Sequence, residues 1–429
     1  MHSPQIPNEN RQAQAGWFRR IGSGIVTGAA DDDPSAIGTY ASAGAKFGLA
    51  FLWIAPALLP MMVVVVYLSA KLGRVYGKGL VAAIREQYPA WILFPIMIGA
   101  FVGNIIEAAA NLGGIGAALG LFVPLPVTLL VAIVAAAILL VQIFGSYGFL
   151  RKIFRWLALA LLAYVGSAVL ARPDLRDVLA GTFMPRIQFT TEFLSMIVAC
   201  IGTALSAYIY TWQSNQEVEE QIQRGRWKAE QRKGASEQTL RRTGFDVAIG
   251  MIFSNAILYC IILSTGATLH TAGLHNIETA ADAAMALEPV AGYLAKVLFV
   301  IGIVGVGVLA VPVMTIGAGY DLAQGLRKRN TLNAEPQQAP FFYTTIGLVT
   351  ALAVGLNFLG FNPMRALVWS GIVQGFSVPP LLLLIMLMTS DDRLMLGQGN
   401  GLLVTVLGWL TTAITFAATL CLVWTWIAQ

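Results

Sequence analysis

The chain is predicted to be an all-α polytopic membrane protein, and three observations carry that prediction. Hydrophobic residues fill 57% of its 429 positions and charged residues only 11%, against about 25% charged in an ordinary soluble domain, and the mean hydropathy is +0.71. Apolar runs of about 20 residues recur along the whole length, each enough to cross a hydrocarbon core as a helix. They are too many for a signal peptide plus an anchor. In the first run, residues 29–36 read Ala-Ala-Asp-Asp-Asp-Pro-Ser-Ala. Lipid tolerates neither three carboxylates nor a missing backbone donor there, so the expectation is a broken helix that lines a polar cavity.

Eleven spans are expected in order. The first, 21–44, holds the acid run; the second is 50–70. The third, 91–118, carries Asn104, Glu107 and Asn111 within an apolar segment. The fourth, 123–144, and the fifth, 150–171, complete a first set. The sixth, 191–216, contains Gly202-Thr203-Ala204-Leu205-Ser206-Ala207-Tyr208, small and hydroxylated residues in mid-span. The seventh, 242–268, bears Asn255. The eighth, 290–322, is glycine-rich around Gly302, Gly305 and Gly307 and carries Pro312, Thr315, Tyr320 and Asp321. The ninth is 340–360, the tenth, 363–388, contains Gln374, and the eleventh is 401–427.

Basic residues set the expected orientation, because cytoplasmic connections carry an excess of Lys and Arg. Arg11, Arg19 and Arg20 precede span 1; Lys71, Arg74, Lys78 and Arg85 follow span 2; Arg151, Lys152 and Arg155 follow span 4. Arg224 to Arg242 follow span 6, and Arg327, Lys328 and Arg329 follow span 8. The opposite connections are poor in base, with Glu278, Asp282 and Glu288 between spans 7 and 8 and only Arg172, Arg176 and Arg186 against the trend. Residues 1–20 then form a cytoplasmic segment, 21–429 a single transporter domain, and 217–244 a solvated cytoplasmic loop. The amino terminus faces the cytoplasm and the carboxyl terminus the periplasm of a bacterial inner membrane.

Other classes fit poorly. The net charge of +5 comes without a dense basic patch interleaved with aromatics, so nucleic acid is not an expected partner. There is no phosphate-cradling glycine loop, nucleophile and base pair or metal-hydrolase motif, so the chain reads as no enzyme and as needing no resident cofactor. Cys200, Cys260 and Cys421 stand singly in apolar segments and read as packing residues. His270 and His275 read as solvated loop residues. Lipid and the transported solute are the expected partners, and a monomer is the expected state.

Spans 1 and 6 are counterparts if 21–171 and 191–388 are two repeats of opposite orientation, with 401–427 an additional helix. Both carry an irregularity near mid-span, as a five-plus-five inverted repeat requires. Together with eleven spans, the segments Gly-Ala-Ala-Asp-Asp-Asp-Pro-Ser-Ala-Ile-Gly-Thr-Tyr (28–40) and Ile-Gly-Thr-Ala-Leu-Ser-Ala-Tyr (201–208) resemble the Nramp divalent metal transporters over nearly the whole chain. The similarity is to a divergent bacterial branch with Asp-Pro-Ser in place of Asp-Pro-Gly-Asn. It implies a LeuT-type fold, broken helices 1 and 6, alternating access and, commonly, proton-coupled import of manganese or ferrous iron.

The departures from the family pattern redirect the expected chemistry. The family's aspartate survives as Asp33, but its asparagine position is Ala36, its carbonyl position Thr203 and its methionine position Ser206. Loss of the thioether turns preference from softer metals to hard ones, and a roomier, partly hydrated site suits magnesium. Asp33, Ser206 and Thr203 are the expected metal ligands, with Asp31 and Asp32 in a vestibule or as outer support. Tyr208 stands where the family has a histidine of its proton route, so weak or absent proton coupling is expected. Glu107 is a candidate for transport or proton movement, or for hydrogen bonding to Asn104 or Asn111 on its own face. Gln374 lies one turn beyond Gly371, the position aligned with a family glutamine, and reads as a substrate contact or an interhelical hydrogen-bonding residue. Two further readings stand beside cation transport: a site rebuilt for a small organic solute around Tyr208, Tyr210, Trp212 and Gln213, and a transporter-like sensor or scaffold using 217–244 to bind a partner.

Overall fold

The computed structural model describes residues 27–28, 30–144, 162–285, 287, 292 and 295–427. The amino-terminal segment, most of span 5, Arg151, Lys152, Arg155 and Glu288 lie outside the described residues.

Local sequence sets most helix ends. After a short helical piece at Ala30 and Asp31, the chain straightens at Asp32 and Asp33 and restarts as α1 (Pro34–Phe47). Proline at the first helical position costs nothing, because its missing N–H has no intrahelical acceptor there. Helix α2 (Ile54–Tyr76) stops at Gly77, whose φ of 76° is left-handed and favours glycine. A short α3 (Leu80–Gln87) leads to α4 (Ala90–Leu119), then α5 (Val127–Phe144), α6 (Leu162–Leu170) and the peripheral α7 (Leu175–Phe183). Span 6 is two helices, α8 (Thr191–Ala204) and α9 (Ala207–Gln223), separated at Leu205 and Ser206. Ser236 caps α10 (Glu237–Thr265); α11 (Ala295–Gly325), α12 (Pro340–Asn357), α13 (Pro363–Thr389) and α14 (Leu402–Ile427) complete the bundle.

Among the described residues, eight segments are long and apolar enough to cross a membrane, with α8 and α9 taken together as Thr191–Gln223. Of the other three expected spans, the first is divided by its break, the fourth is represented by the shorter apolar segment Val127–Ile143, and the fifth by α6 alone.

Helix α4 packs against both α11 and α13 at the centre, α8 lies against α13, and α10 crosses both α1 and α2. Small residues let these backbones approach, since lipid offers no hydrophobic gain for bringing helices together. A Cβ on Gly202 of α8 would stand 2.0 Å from the Gly371 carbonyl oxygen and 2.3 Å from the Gly375 nitrogen, both on α13. Backbone atoms cannot move aside as a flexible side chain does. Gly202→Val is therefore expected to destabilise the fold by about 2–3 kcal/mol, read as a lower thermal midpoint in detergent.

The stretch 217–244, expected to be solvated, is mostly exposed beyond Gln223 but buried at its start. Helix α9 continues to Gln223 and α10 starts at Glu237, leaving only 224–236 between them. Glu217 and Glu219 are buried. Glu217 forms an ion pair with Arg74 of α2, and Glu219 accepts from Tyr320 Oη (2.8 Å), Thr331 Oγ1 (2.8 Å) and the Leu332 backbone N–H (3.0 Å). Their charges therefore clamp α9 to α2, to the end of α11 and to the segment after it.

Candidate functional site

The first break is organised by Asp33. Its backbone is extended (φ −70°, ψ 174°), and its Oδ1 accepts from the Ala36 backbone N–H (2.7 Å) and from Ser35 Oγ (2.7 Å), capping α1. Its Oδ2 accepts from Asn111 Nδ2 of α4 (3.1 Å) and Tyr208 Oη of α9 (3.2 Å). Asn111 returns to the break by accepting from the Ser35 backbone N–H (2.8 Å). Ala36 thus contributes backbone only, as a donor to the cap.

At the second break Ser206 turns its hydroxyl back to the carbonyls of Gly202 (2.8 Å) and Thr203 (3.0 Å), with Glu107 Oε1 at 3.4 Å. Thr203 presents its carbonyl to Ser206, while its Oγ1 points toward Gly371 and has no hydrogen-bond partner. Unwinding a helix in lipid orphans carbonyls, and each must find a donor. Two tyrosines of α9 supply them: Tyr208 donates to the Ala30 carbonyl (3.0 Å), and Tyr210 to the Leu205 carbonyl. Tyr208→Phe removes that donor from a buried carbonyl, so stability is expected to fall by about 1–3 kcal/mol, measurable as a shift of the thermal midpoint.

Glu107 joins the breaks to α13. Its Oε1 also accepts from Ser35 Oγ (3.1 Å), and its Oε2 from Gln374 Nε2 (2.5 Å). The Ser35 hydroxyl lies between the Asp33 and Glu107 carboxylates, and its single hydrogen serves one of them at a time. Gln374 thus reaches the site through Glu107. The expected partnership of Glu107 with its own-helix asparagines is not what forms: Asn111 turns to Asp33, and the Asn104 side chain has no hydrogen-bond partner. A helix that packs on three sides offers a long carboxylate better-aligned donors on its neighbours than on itself.

Asp31 and Asp32 do not face an open vestibule. Both are buried, and Ser254 Oγ of α10 lies 2.8 Å from Asp31 Oδ2 and 3.1 Å from Asp32 Oδ1. Consecutive side chains at a break diverge, and these two fall on the side facing α10. Away from the site, Asn255 donates to the Ala55 carbonyl (2.8 Å), Thr315 to Gln142 Oε1 (3.2 Å), and Asp321 is buried without a hydrogen-bond partner. His270 and His275 meet edge to face at 4.8 Å with their Nδ1 atoms 2.9 and 3.3 Å from the Ala45 carbonyl oxygen, so they pack on the end of α1.

Charge is the outstanding property of this region. Asp31, Asp32, Asp33 and Glu107 are essentially inaccessible, and among the described residues none of them forms an ion pair. Buried carboxylates without a counter-charge are costly, and a bound cation offsets that cost. Three or more His, Cys, Asp or Glu side chains do not converge on a metal position anywhere among the described residues. A cation held at Asp33 and Glu107 must complete its shell with hydroxyls, carbonyls or water. Ser35, Ser254 and Met314, whose Sδ lies 3.2 Å from Asn111 Nδ2, were not anticipated from sequence. Ser35 was open to inference from its place after Pro34; nothing in the linear pattern marks the other two.

Residues 24–425 match a family model described as natural resistance-associated macrophage protein-like. This chain belongs to the Nramp family. Its Nramp architecture resembles that of the Eremococcus coleocola manganese transporter solved with an aromatic bis-isothiourea substituted compound, at 18% identity and a TM-score of 0.72, covering 95% of this chain and 87% of that one. The nucleobase-cation-symport-1 family transporter Mhp1, closed around bromovinylhydantoin, matches at 14% identity and a TM-score of 0.60, covering 95% and 92%. MhsT in complex with L-phenylalanine matches at 13% identity and 0.61, covering 96% and 98%. These likenesses establish a LeuT-type fold, and Nramp membership assigns the chain to secondary metal-ion transport.

Proposed function

We propose that this chain carries a partly hydrated divalent cation, magnesium or manganese, across the membrane by alternating access, with Asp33 as the principal ligand. The observation that supports this most strongly is the pairing of Asp33 with Glu107 through Ser35, both buried and neither in an ion pair among the described residues. Two carboxylates suit a hard divalent ion that keeps several waters. Ser206 and the Thr203 carbonyl, now bonded to each other at 3.0 Å, become oxygen ligands when that bond exchanges for the cation. Ser206 in the family's methionine position favours a hard ion. Met314, two contacts from Asp33 through Asn111, keeps manganese within the reading.

Alternating access follows from how the breaks are held. Asp33 is tied at once to its own helix, to α4 and to α9. A cation competing for its oxygens releases the Asn111 or Tyr208 bond and so loosens one break from the other. Coupling to protons is weak or absent, because Tyr208 supplies no group that titrates near neutrality as a histidine does. The amino terminus is cytoplasmic, and the working unit is a monomer.

Flux into proteoliposomes, followed for magnesium, manganese and calcium with a pH-sensitive dye inside, tests this directly. Magnesium and manganese are expected to enter without acidification, and calcium more slowly because its preferred shell is larger and less hydrated. No flux of any divalent ion would sink the proposal. Transport of a small organic solute is the competing reading, and the four donors already around Asp33 favour it. It predicts no divalent heat in calorimetry and stabilisation by an organic ligand instead.

A further inference from the structure

A cavity of about 880 Å³ lies away from the helix breaks, between α2, the start of α10 and the start of α14. Its walls are apolar, with Pro60, Val63, Leu403 and Val404 among them, and Lys71 and Arg241 stand at one end. Arg241 is exposed and paired with Glu237 (3.1 Å). Lys71 differs: it is 3% exposed, and its ammonium donates to the Gly399 carbonyl (2.7 Å) and Asn400 Oδ1 (3.0 Å). Asp392, in the loop that supplies these acceptors, is near enough for its charge to act on Lys71, but among the described residues it makes no ion pair with it. An ammonium has three donors, so Lys71 keeps its charge and one hydrogen for another partner.

The dimensions match one leaflet. From Lys71 to Pro60 is eleven residues of α2, or about 16 Å at 1.5 Å per residue, close to half of a hydrocarbon core about 30 Å thick. The cation sits at the end of α2 that also carries Arg74, itself paired with Glu217 and Glu220, and the apolar wall runs from there along α2 to Pro60. We propose that this groove binds one anionic phospholipid, its phosphate on Lys71 and one acyl chain along Pro60, Val63, Leu403 and Val404. Basic pockets between membrane helices recognise anionic head groups by this combination of charge and depth. The site is independent of cation transport. It nonetheless meets the transport machinery, because α2 holds α9 through Ser69, which donates to the Tyr210 carbonyl (2.5 Å), and through the Arg74–Glu217 ion pair.

Native mass spectrometry of the full chain with phosphatidylglycerol and phosphatidylcholine of identical acyl chains tests the proposal. The wild type is expected to retain phosphatidylglycerol about tenfold better than phosphatidylcholine. Lys71→Met should erase that preference, and Val404→Trp, which fills the apolar wall and leaves the ammonium untouched, should lower retention of both about tenfold. Inorganic phosphate should neither displace the lipid nor raise the thermal midpoint as phosphatidylglycerol does. Equal retention of the two lipids by the wild type, an unchanged preference in Lys71→Met, or the same stabilisation by phosphate alone would overturn it. Should Lys71→Met fail to fold, the Val404→Trp measurement decides, and wild-type retention there equally overturns the proposal.

Discussion

Asp33→Asn is expected to abolish divalent uptake while leaving the fold nearly intact. Asparagine caps a helix about as well as aspartate, so the amide oxygen keeps the bonds to the Ala36 N–H at 2.7 Å and to Ser35, while the new NH2 in the place of Oδ2 donates to Tyr208 Oη, whose own hydrogen goes to the Ala30 carbonyl. What disappears is the charge, and with it the hard ligand a divalent ion requires. Flux should fall at least 100-fold, and the stabilisation that a divalent ion gives the wild type, about 2.7 kcal/mol at a hundred times its dissociation constant, should vanish. Asp33→Ala should also lose flux, with about 1 kcal/mol of capping lost besides. Uptake at the wild-type rate in the asparagine variant would remove Asp33 from the site.

The second large effect belongs to Glu107, and two substitutions separate its roles. Glu107→Ala leaves Gln374 Nε2 without its acceptor in a buried site, while Ser35 keeps Asp33 and Ser206 keeps the Gly202 and Thr203 carbonyls. A loss of about 3–5 kcal/mol is expected from the cavity and the one unsatisfied donor together. Glu107→Gln keeps the volume. Gln374 Oε1, buried and unpartnered in the present arrangement, accepts from the new amide once the Gln374 side chain flips. Stability should therefore change by less than about 1 kcal/mol, while flux falls about tenfold or more because one of the two carboxylates is gone. Unfolding curves together with proteoliposome uptake distinguish these outcomes. A glutamine variant that transports normally would leave Glu107 a purely structural residue.

Much of this protein was legible before folding was considered. Asp-Asp-Asp-Pro in an apolar run marks a broken helix because lipid forbids unsatisfied backbone and uncompensated charge, and the break stands at Asp32 and Asp33. The Gly202–Tyr208 segment marked the second break for the same reason, and the chain does part there at Leu205 and Ser206. At 217–244 the charged residues beyond Gln223 are mostly exposed, but at the start of the stretch charge on a helix does not mean solvation. Glu217 and Glu219 instead find partners on α2, on α11 and in the segment after α11, none of which is a neighbour in sequence.

Sequence alone therefore determined the properties that depend on the solvent: a helical bundle in lipid, its approximate spans, two interruptions, and Asp33 as a charge that must have a purpose. Each follows from local composition, because the cost of an unpaired group in hydrocarbon is local. The tertiary structure alone decided which donor each carboxylate meets. It gave Asp33 to Asn111 and Tyr208, Glu107 to Ser35 and Gln374, and both Asp31 and Asp32 to Ser254. Those pairings span up to 267 positions in the chain. They arise where helices cross at close range, and hydrogen bonds act over about 3 Å, a distance that hydropathy and spacing do not encode.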